Sequence, residues 1–349
     1  MYSFWSWSAV YLVLVIIQQC LAINHVPEDE WEKFKTDFGK TYPSNGISEA
    51  LAQYYYAYNK RLIDNHNAQF NRGQKTFELK VNQFTDMRLI HFNALFPKAI
   101  AQAKPNAWPG PETLEATTVY NPSEHFGYVF NVEDQGTKCN SGWAYAAAKA
   151  VELMQAQQTG DLAPETLSAQ NLIDCAGGAR ACKNQVPQVA LEYLTVHEMD
   201  LYPESEYMNN NSLNEPGMCV PQGTMPTNLA EFSVIPDGDD DELKRYVSSG
   251  FPVIVEVNPA SFEFMHYFRG VYQPSTTSHR NHKSTKGSHF MVVIGYDKDE
   301  KTNEEYWILQ NSFGLDWGER GLMRMLRSPT QPITKNAIFP SKLGPLLGK

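Results

Sequence analysis

The sequence has little cysteine, little charge and no excess of basic residues. Of its 349 residues, 5 are cysteine and 19% are charged, and the formal net charge is −10 at pH 7. Such a chain lacks the basic surface that nucleic acids and anionic membranes require, so neither is expected as a partner. Its hydrophobic content of 42% is that of an ordinary globular protein with a proper core.

The one apolar run at the N-terminus occupies residues 9–17 and is too short to span a bilayer. Small residues at Cys20 and Ala22 offer a signal-peptidase site, although no Lys or Arg precedes the run. An uncleaved anchor and a buried segment are the alternatives. We interpret residues 1–22 as a secretory signal peptide and expect a secreted, extracellular protein or a lysosomal one.

Four cysteines follow the signal peptide: Cys139, Cys175, Cys182 and Cys219. An even number in a secreted chain predicts two disulfides, and spacing alone leaves three pairings open. A sequon begins at Asn210 in a polar stretch, which predicts glycosylation of a surface loop.

Three regions follow the signal peptide. Residues 23–96 show helical patterns and then an alternating strand and turn at 77–86. Residues 97–118 are rich in Pro, Ala, Gly and Thr, which predicts an extended linker open to proteolysis. Residues 119–349 carry helical signals first and strand signals late, which favours an α+β fold with two subdomains.

The clearest helix is predicted over residues 143–157, and its many alanines indicate a buried central helix. Strands are predicted over residues 252–257, 290–296 and 306–310. The acidic run at 237–242 precedes a predicted helix, where carboxylates offset the helix dipole. A metal site there is the less favoured interpretation, so neither metal nor cofactor is expected.

One constellation carries chemistry. A cysteine peptidase needs a thiolate, a His that exchanges its proton, a group that orients this His, and donors for the oxyanion. Gln135 precedes the Ala-rich helix, His289 precedes a predicted strand, and Asn311 follows the next strand. The remaining place, directly before Trp143, holds Gly142, which has no side chain.

These segments resemble the papain-like, cathepsin L-type cysteine peptidases, and the resemblance covers nearly the whole precursor. Residues 59–67 and 81–87 resemble the motifs of the family's propeptide. The resemblance implies a helical left subdomain and a β-barrel-like right subdomain with a cleft between them. It also implies a propeptide inhibitor domain over residues 23–96, which lies across the cleft, and a peptidase domain over 119–349.

The resemblance further implies disulfides between Cys139 and Cys182 and between Cys175 and Cys219. Cys139 is thereby the structural cysteine three positions before the nucleophile's place, not the nucleophile itself.

Several positions depart from the family pattern besides Gly142. One extra residue separates Gln135 from Cys139, which puts the oxyanion register in question. Residues 183–185 read Lys-Asn-Gln where the family has a glycine lip, so a narrower cleft is expected. Phe313 stands where the family has a Trp that shields the His and Asn. Together these departures favour a catalytic site that has lost its function naturally over an engineered substitution at Gly142 alone.

The sequence therefore predicts a catalytically inactive homologue of a cathepsin L-like endopeptidase. It would bind a protein or peptide in the remnant cleft, or inhibit active cathepsins through its propeptide-like segment. One alternative is an active cathepsin L-like cysteine endopeptidase, and another is a structural or storage protein. Ser141 is a poor substitute nucleophile, because one step along a helix turns a side chain by about 100°.

Overall fold

The computed structural model describes residues 26–43, 47–99, 116–122, 129–207, 215–220, 223–274, 287–328 and 332–345. The signal peptide, most of the linker and Asn210 lie outside these residues. The helices described are α1 (Glu28–Asp37), α2 (Ile47–Asn71), α3 (Leu89–Ala94), α4 (Gly142–Thr159), α5 (Ala169–Cys175), α6 (Pro187–Thr195), α7 (Asp240–Ser248) and α8 (Phe262–Met265). The strands described are β1 (Phe77–Leu79), β2 (Leu229–Val234), β3 (Val253–Val257), β4 (Tyr267–Tyr272), β5 (His289–Lys298), β6 (Glu305–Gln310), β7 (Leu322–Leu326) and β8 (Ile338–Leu343).

The chain forms two compact units, and the first comprises residues up to 75 together with 79–88. Its core is aromatic: Trp31 stacks on Phe34 at 5.4 Å between ring centroids, and Tyr56 packs on Phe34 at 4.6 Å. Trp31 and Phe34 lie three residues apart on α1, so both face α2. Packing between two helices therefore holds this unit together.

The two segments that resemble the propeptide motifs are hydrogen-bonded to each other within the first unit. The Asn59 amide donates to the carbonyl oxygens of Thr85 and Met87, both at 2.8 Å. The Tyr42 hydroxyl donates to Asp86 at 2.8 Å. A buried amide satisfied by two backbone acceptors fixes the turn at residues 82–87 against α2.

The second unit, residues 76–78 and 89–349, is built around α4. This helix packs against α5, α6, β5 and β8, and its alanines at 144, 147, 148 and 150 are fully buried. Small side chains allow this close approach on all sides. Gly160 ends the helix in the left-handed conformation, with φ of 70° and its N–H donating to the Ala156 carbonyl. The predicted buried central helix is thus confirmed.

The strands form one eight-stranded sheet in the order β1-β4-β7-β6-β5-β3-β8-β2. β4 and β7 pair in parallel, whereas β5 pairs with β3 and β6 in antiparallel fashion. β5 is buried along most of its length, so it forms the middle of the sheet and carries His289 at its first position. The helices precede most of the strands along the chain, and the predicted α+β class is confirmed.

Two disulfides lie in the second unit. Cys139 bonds to Cys182, and Cys175 bonds to Cys219, which are the pairs that the family resemblance implies. The acidic run begins α7 as expected, because the Asp239 side chain accepts the Glu242 N–H as N-cap. In the residues that the structure describes, no helix has the length and apolarity needed to cross a membrane.

Candidate functional site

Gly142 lies at the N-terminus of α4, the buried central helix. Ser141 precedes it as the N-cap residue but makes no side-chain capping bond. Its hydroxyl donates instead to the Cys139 carbonyl at 3.4 Å. The disulfide between Cys139 and Cys182 ties the chain just before the helix to the neighbouring loop. The helix start is therefore held firmly, and Gly142 itself is buried.

His289 and Asn311 meet because β5 and β6 are antiparallel neighbours. His289 Nε2 lies 2.6 Å from Asn311 Oδ1, and both residues are buried. An amide oxygen only accepts, so Nε2 carries the proton and Nδ1 keeps a free lone pair. Nδ1 has no hydrogen-bond partner among the described residues.

Burial sets the charge of this histidine. It lowers the pKa of His289 to about 4, although the hydrogen bond with Asn311 acts in the opposite direction. The imidazole is therefore neutral at pH 7. It can accept a proton or a hydrogen bond at Nδ1 but adds no positive charge to the site.

Gln135 joins these residues through a short backbone pairing between residues 133–135 and 312–314. Its N–H donates to the Ser312 carbonyl at 2.9 Å, and the Ser312 hydroxyl donates to Gln135 Oε1 at 2.7 Å. The extra residue between Gln135 and Cys139 is absorbed by a turn, in which Gly136 has φ of 67° and donates to Asp134 Oδ1. The sequence departure therefore leaves Gln135 beside the helix start.

Gln135 and His289 close tightly around Gly142. A Cβ built on Gly142 would lie 2.8 Å from Gln135 Oε1, 2.9 Å from His289 Nδ1 and 3.0 Å from His289 Cε1. Contacts below 3.0 Å force the neighbours to move. The site thus brings together all the residues that the sequence suggested, and a side chain at position 142 would require Gln135 or His289 to shift.

Aromatic rings cover the histidine. Phe313 stacks on His289 with ring centroids 4.7 Å apart and planes at 24°, as a shielding residue would. From the other side Phe96 approaches the imidazole at 5.1 Å with its plane at 65°. The segment that follows α3 is also anchored by a hydrogen bond of 2.9 Å from the Ala99 N–H to Ser288 Oγ. Residues 89–99, which we call the cover segment, therefore bury His289 to 1% exposure.

The residues at the expected lip do not all project outward. Gln185 is 8% exposed, and its amide donates to the Gly177 carbonyl at 3.2 Å. Its side chain is therefore folded into the protein, and the narrower cleft stays a prediction. Lys183 is exposed, and its carbonyl accepts a hydrogen bond from the Asn140 amide.

A charged cluster that the sequence analysis missed lies buried behind the site. Lys149 Nζ is 2.6 Å from Glu152 and 3.8 Å from Glu133. Glu152 also accepts the Leu167 N–H at 3.0 Å. Burial raises the pKa of Glu133 to about 8. The sequence signal was a Lys and a Glu three residues apart on a helix predicted to be buried, where charges need partners.

The chemistry available here is limited. The site consists of a neutral imidazole that the Asn311 amide orients, the Gln135 side chain and the N-terminus of α4. Together these groups can hold a polar group of a ligand. The described cysteines at 139, 175, 182 and 219 are all in disulfides, so none offers a thiolate. No cluster of three or more potential metal ligands occurs in the described residues.

Most of the chain matches known protein families. Residues 117–341 match the family described as papain family cysteine protease, and residues 31–89 match the cathepsin propeptide inhibitor domain. A cathepsin L-like peptidase of Aedes aegypti is 27% identical over 336 residues, covering 91% of this chain and 93% of the relative. A cathepsin L-like proteinase of Fasciola hepatica is 30% identical over 310 residues, covering 86% and 89%.

Solved precursor structures are also similar. Digestive procathepsin L 3 of the Tenebrio molitor larval midgut has a TM-score of 0.76 at 30% identity, covering 90% of this chain and 99% of that one. Recombinant stem bromelain precursor has a TM-score of 0.74 at 25% identity, covering 90% and 98%. Both similarities extend beyond the region around Gly142 to most of the chain.

Proposed function

Since the chain belongs to the papain family of cysteine proteases, we propose that it is a non-catalytic member that acts by binding. The family assignment rests on a match over residues 117–341, and the propeptide domain is present at residues 31–89. The papain-like fold expected from the sequence is confirmed by the procathepsin structures it resembles.

The observation that carries the proposal is the packing at Gly142. Gln135 Oε1 and His289 Nδ1 approach the position of the absent Cβ to 2.8 Å and 2.9 Å. Substitution of a catalytic nucleophile costs about six orders of magnitude in turnover, and the small remainder comes from binding and oxyanion stabilisation. A water-based residual reaction at this site would be too slow to serve as the protein's activity.

Ser141 does not compensate for the missing thiol. It is completely buried, and its hydroxyl is directed to the Cys139 carbonyl at 3.4 Å. Using it as a nucleophile would require rebuilding the start of α4, which the disulfide between Cys139 and Cys182 restrains. This packing supports binding rather than hydrolysis.

The proposed ligand is a protein or peptide segment. The remnant site offers His289 Nδ1, an acceptor with no partner among the described residues, and the aromatic ring of Phe313. The cover segment lies on the same imidazole through Phe96. A ligand would therefore compete with this segment. Binding of active cathepsins by the propeptide-like domain is a second form of the same proposal, and a secreted or lysosomal location is part of it.

The first experiment tests for hydrolysis. We expect that the purified full chain, with and without acid treatment, neither cleaves a fluorogenic dipeptide amide nor reacts with a thiol-directed epoxide, while an active cathepsin L does both under the same conditions. Epoxide labelling together with peptide cleavage would establish the active endopeptidase instead. Labelling of a reduced Cys139 alone would leave the proposal intact, because that sulfur belongs to a disulfide.

The second experiment tests for binding. The chain is immobilised and exposed to a peptide mixture and to active cathepsin L, and retained species are identified by mass spectrometry. We expect retention that falls when His289→Ala removes the Nδ1 acceptor, or inhibition of the active enzyme by the first unit. A chain that retains nothing and inhibits nothing would fit a structural or storage protein.

A further inference from the structure

A separate cleft of about 190 Å³ lies next to the remnant site in the second unit. It is bounded by the segment just before Gln135, by the first turns of α4 and by the start of α5. Its lining residues are Glu133, Asp134, Tyr145, Ser168, Ala169, Gln170 and Glu204. Three carboxylates thus share a cleft whose size suits a single side chain.

The cleft offers hydrogen-bond acceptors in excess of donors. The Gln170 amide nitrogen is already hydrogen-bonded within the protein, because it donates to Asp174 at 2.6 Å and to the Glu215 carbonyl at 2.9 Å. Gln170 is 6% exposed, and its Oε1 has no partner among the described residues. The Ser168 hydroxyl is also used, because it donates to the Tyr207 carbonyl at 3.0 Å.

Glu133 is the buried carboxylate of the cleft. Its side chain is 14% exposed, and Lys149 Nζ stands 3.8 Å away, beyond the usual length of a hydrogen bond. Lys149 is instead bonded to Glu152 at 2.6 Å. The Glu133 carboxyl group therefore receives no hydrogen bond from Lys149, and its oxygens can accept hydrogen bonds from a cation in the cleft.

We propose that this cleft binds the guanidinium group of an arginine side chain presented by a protein or peptide partner. A guanidinium brings five donors in a flat fork to an acceptor-rich site with carboxylates at Glu133, Asp134 and Glu204. Tyr145 also lines the cleft, and its hydroxyl lies near the same three carboxyl groups. The described carboxylates do not gather as a metal site does, which favours an extended cation over a single ion.

This site goes beyond the proposed function, since it does not involve Gly142 or His289. Glu133 and Asp134 directly precede Gln135 in the sequence, so an arginine bound in the cleft would lie beside the remnant site and not in it. A partner could therefore bind the cleft whether or not the protein hydrolyses peptides.

The protonation of Glu133 provides a signature of binding. Burial raises its pKa to about 8, with Glu152 and Glu204 acting in the same direction and Lys149 in the opposite one. A guanidinium beside the carboxyl favours the charged form, so binding at pH 7 releases a proton. A neutral ligand of the same shape would release none.

Isothermal titration calorimetry of the full chain with N-acetyl-arginine amide tests the proposal, and N-acetyl-citrulline amide is the matched neutral probe. We expect the arginine probe to bind about tenfold more tightly, because charge-assisted hydrogen bonds are the stronger ones. Repeating the titration at pH 7 in two buffers of different ionisation enthalpy should show net proton release for the arginine probe alone.

Variants locate the site. Glu133→Gln removes the buried carboxyl group of the cleft and should weaken arginine binding about tenfold. Glu231→Gln alters an exposed carboxylate outside the cleft and should change nothing. Circular dichroism establishes that each variant is folded. Equal binding of the two probes, full arginine binding by Glu133→Gln, or displacement of the arginine probe by stoichiometric calcium chloride would overturn the proposal.

Discussion

At the scale of single residues, Gln135 and His289 occupy the space that a side chain at Gly142 would take. A residue without Cβ lets Gln135 and His289 approach a point that a side chain would occupy, to 2.8 Å and 2.9 Å. Its backbone does not require glycine, because φ there is not in the left-handed region. The backbone conformation would therefore accept a larger residue, but Gln135 or His289 would have to shift to make room for it.

Gly142→Cys should not restore peptidase activity. The new Cβ needs Gln135 or His289 to shift, and overpacking of this kind costs about 1–3 kcal/mol of stability. We expect no measurable cleavage of a fluorogenic dipeptide amide and a lower midpoint of urea unfolding. Gly142→Ala adds the same Cβ without sulfur and should lower the midpoint similarly. Cleavage at the rate of an active cathepsin L would mean that the rest of the site is intact.

The hydrogen bond from His289 to Asn311 controls the state of the imidazole. Asn311→Asp keeps an acceptor 2.6 Å from Nε2 but adds a negative charge, which favours the imidazolium. The pKa of His289 should rise from about 4 towards neutrality. Nitrogen NMR shifts of the His289 ring, followed against pH, measure this directly, and Asn311→Ser, which is neutral, is the control. An unchanged titration would show that Asn311 does not orient the ring.

At the scale of elements, the cover segment determines access to the remnant site. Phe96 contacts both His289 and Phe313, at 5.1 Å and 5.6 Å between ring centroids. Phe92 is fully buried on α3 and reaches Phe313 at 6.3 Å. Phe92 on α3 and Phe96 just after it thus complete an aromatic layer over the imidazole.

Phe96→Ala should uncover the imidazole. Removing a buried phenyl ring costs about 3–5 kcal/mol, so the cover segment would open more often. In the native chain His289 is 1% exposed and should resist diethyl pyrocarbonate, whereas in Phe96→Ala it should react, as mass spectrometry of the modified peptide would show. Ile90→Ala changes a residue of the same cover segment that is 60% exposed, and it should leave the rate of modification unchanged. Equal modification of His289 in all three proteins would contradict this role.

Elements with strong local signals were predictable from the sequence, and others were not. The Ala-rich pattern marked α4, and the acidic run marked the start of α7, where Asp239 caps the helix. β8 was missed, because its register includes Pro340 and its place in the sheet depends on pairing with β2 and β3. β-structure of this kind is decided by distant partners more than by intrinsic preference.

The candidate site shows the same division. Gln135, His289 and Asn311 could be grouped because their order and flanking strands carry information. Phe96 could not, since nothing local indicates that a residue after α3 will pack on His289. Close packing around Gly142 is likewise a property of three dimensions, and the sequence alone suggested only that the thiol was absent.

At the scale of the whole molecule, buried titratable groups act in opposite directions on stability. Burial lowers the pKa of His289 to about 4 and that of His266 to about 3, so the folded state resists their protonation. Burial raises the pKa of Glu133 to about 8, so the folded state resists its ionisation. The free energy of unfolding therefore falls on account of the histidines as the pH drops below 6.5, their ordinary pKa. On account of Glu133 it falls as the pH rises above 4.5, the ordinary pKa of a glutamic acid.

These groups predict how the free energy of unfolding varies with pH. Between pH 6.5 and 8 the folded state keeps the Glu133 proton that the unfolded chain has lost, so stability falls as pH rises, by about 1.4 kcal/mol per pH unit. Glu133→Gln has no such titration, so its free energy of unfolding should not fall for this reason. The difference in unfolding free energy between the native chain and Glu133→Gln should therefore change by about 2 kcal/mol between pH 6.5 and 8. Urea unfolding at several pH values measures it.

Below pH 6.5 the two histidines dominate this set of groups. The unfolded chain binds protons that buried His266 and His289 refuse, so these two groups lower stability by about 1.4 kcal/mol each per pH unit as pH falls towards 4. His266→Gln removes one of the titrations and should reduce that slope by the same amount, whereas His197→Gln changes an exposed histidine and serves as control. If the slope of His266→Gln equals that of the native chain, His266 is protonated in the folded state and its burial does not govern the pH response.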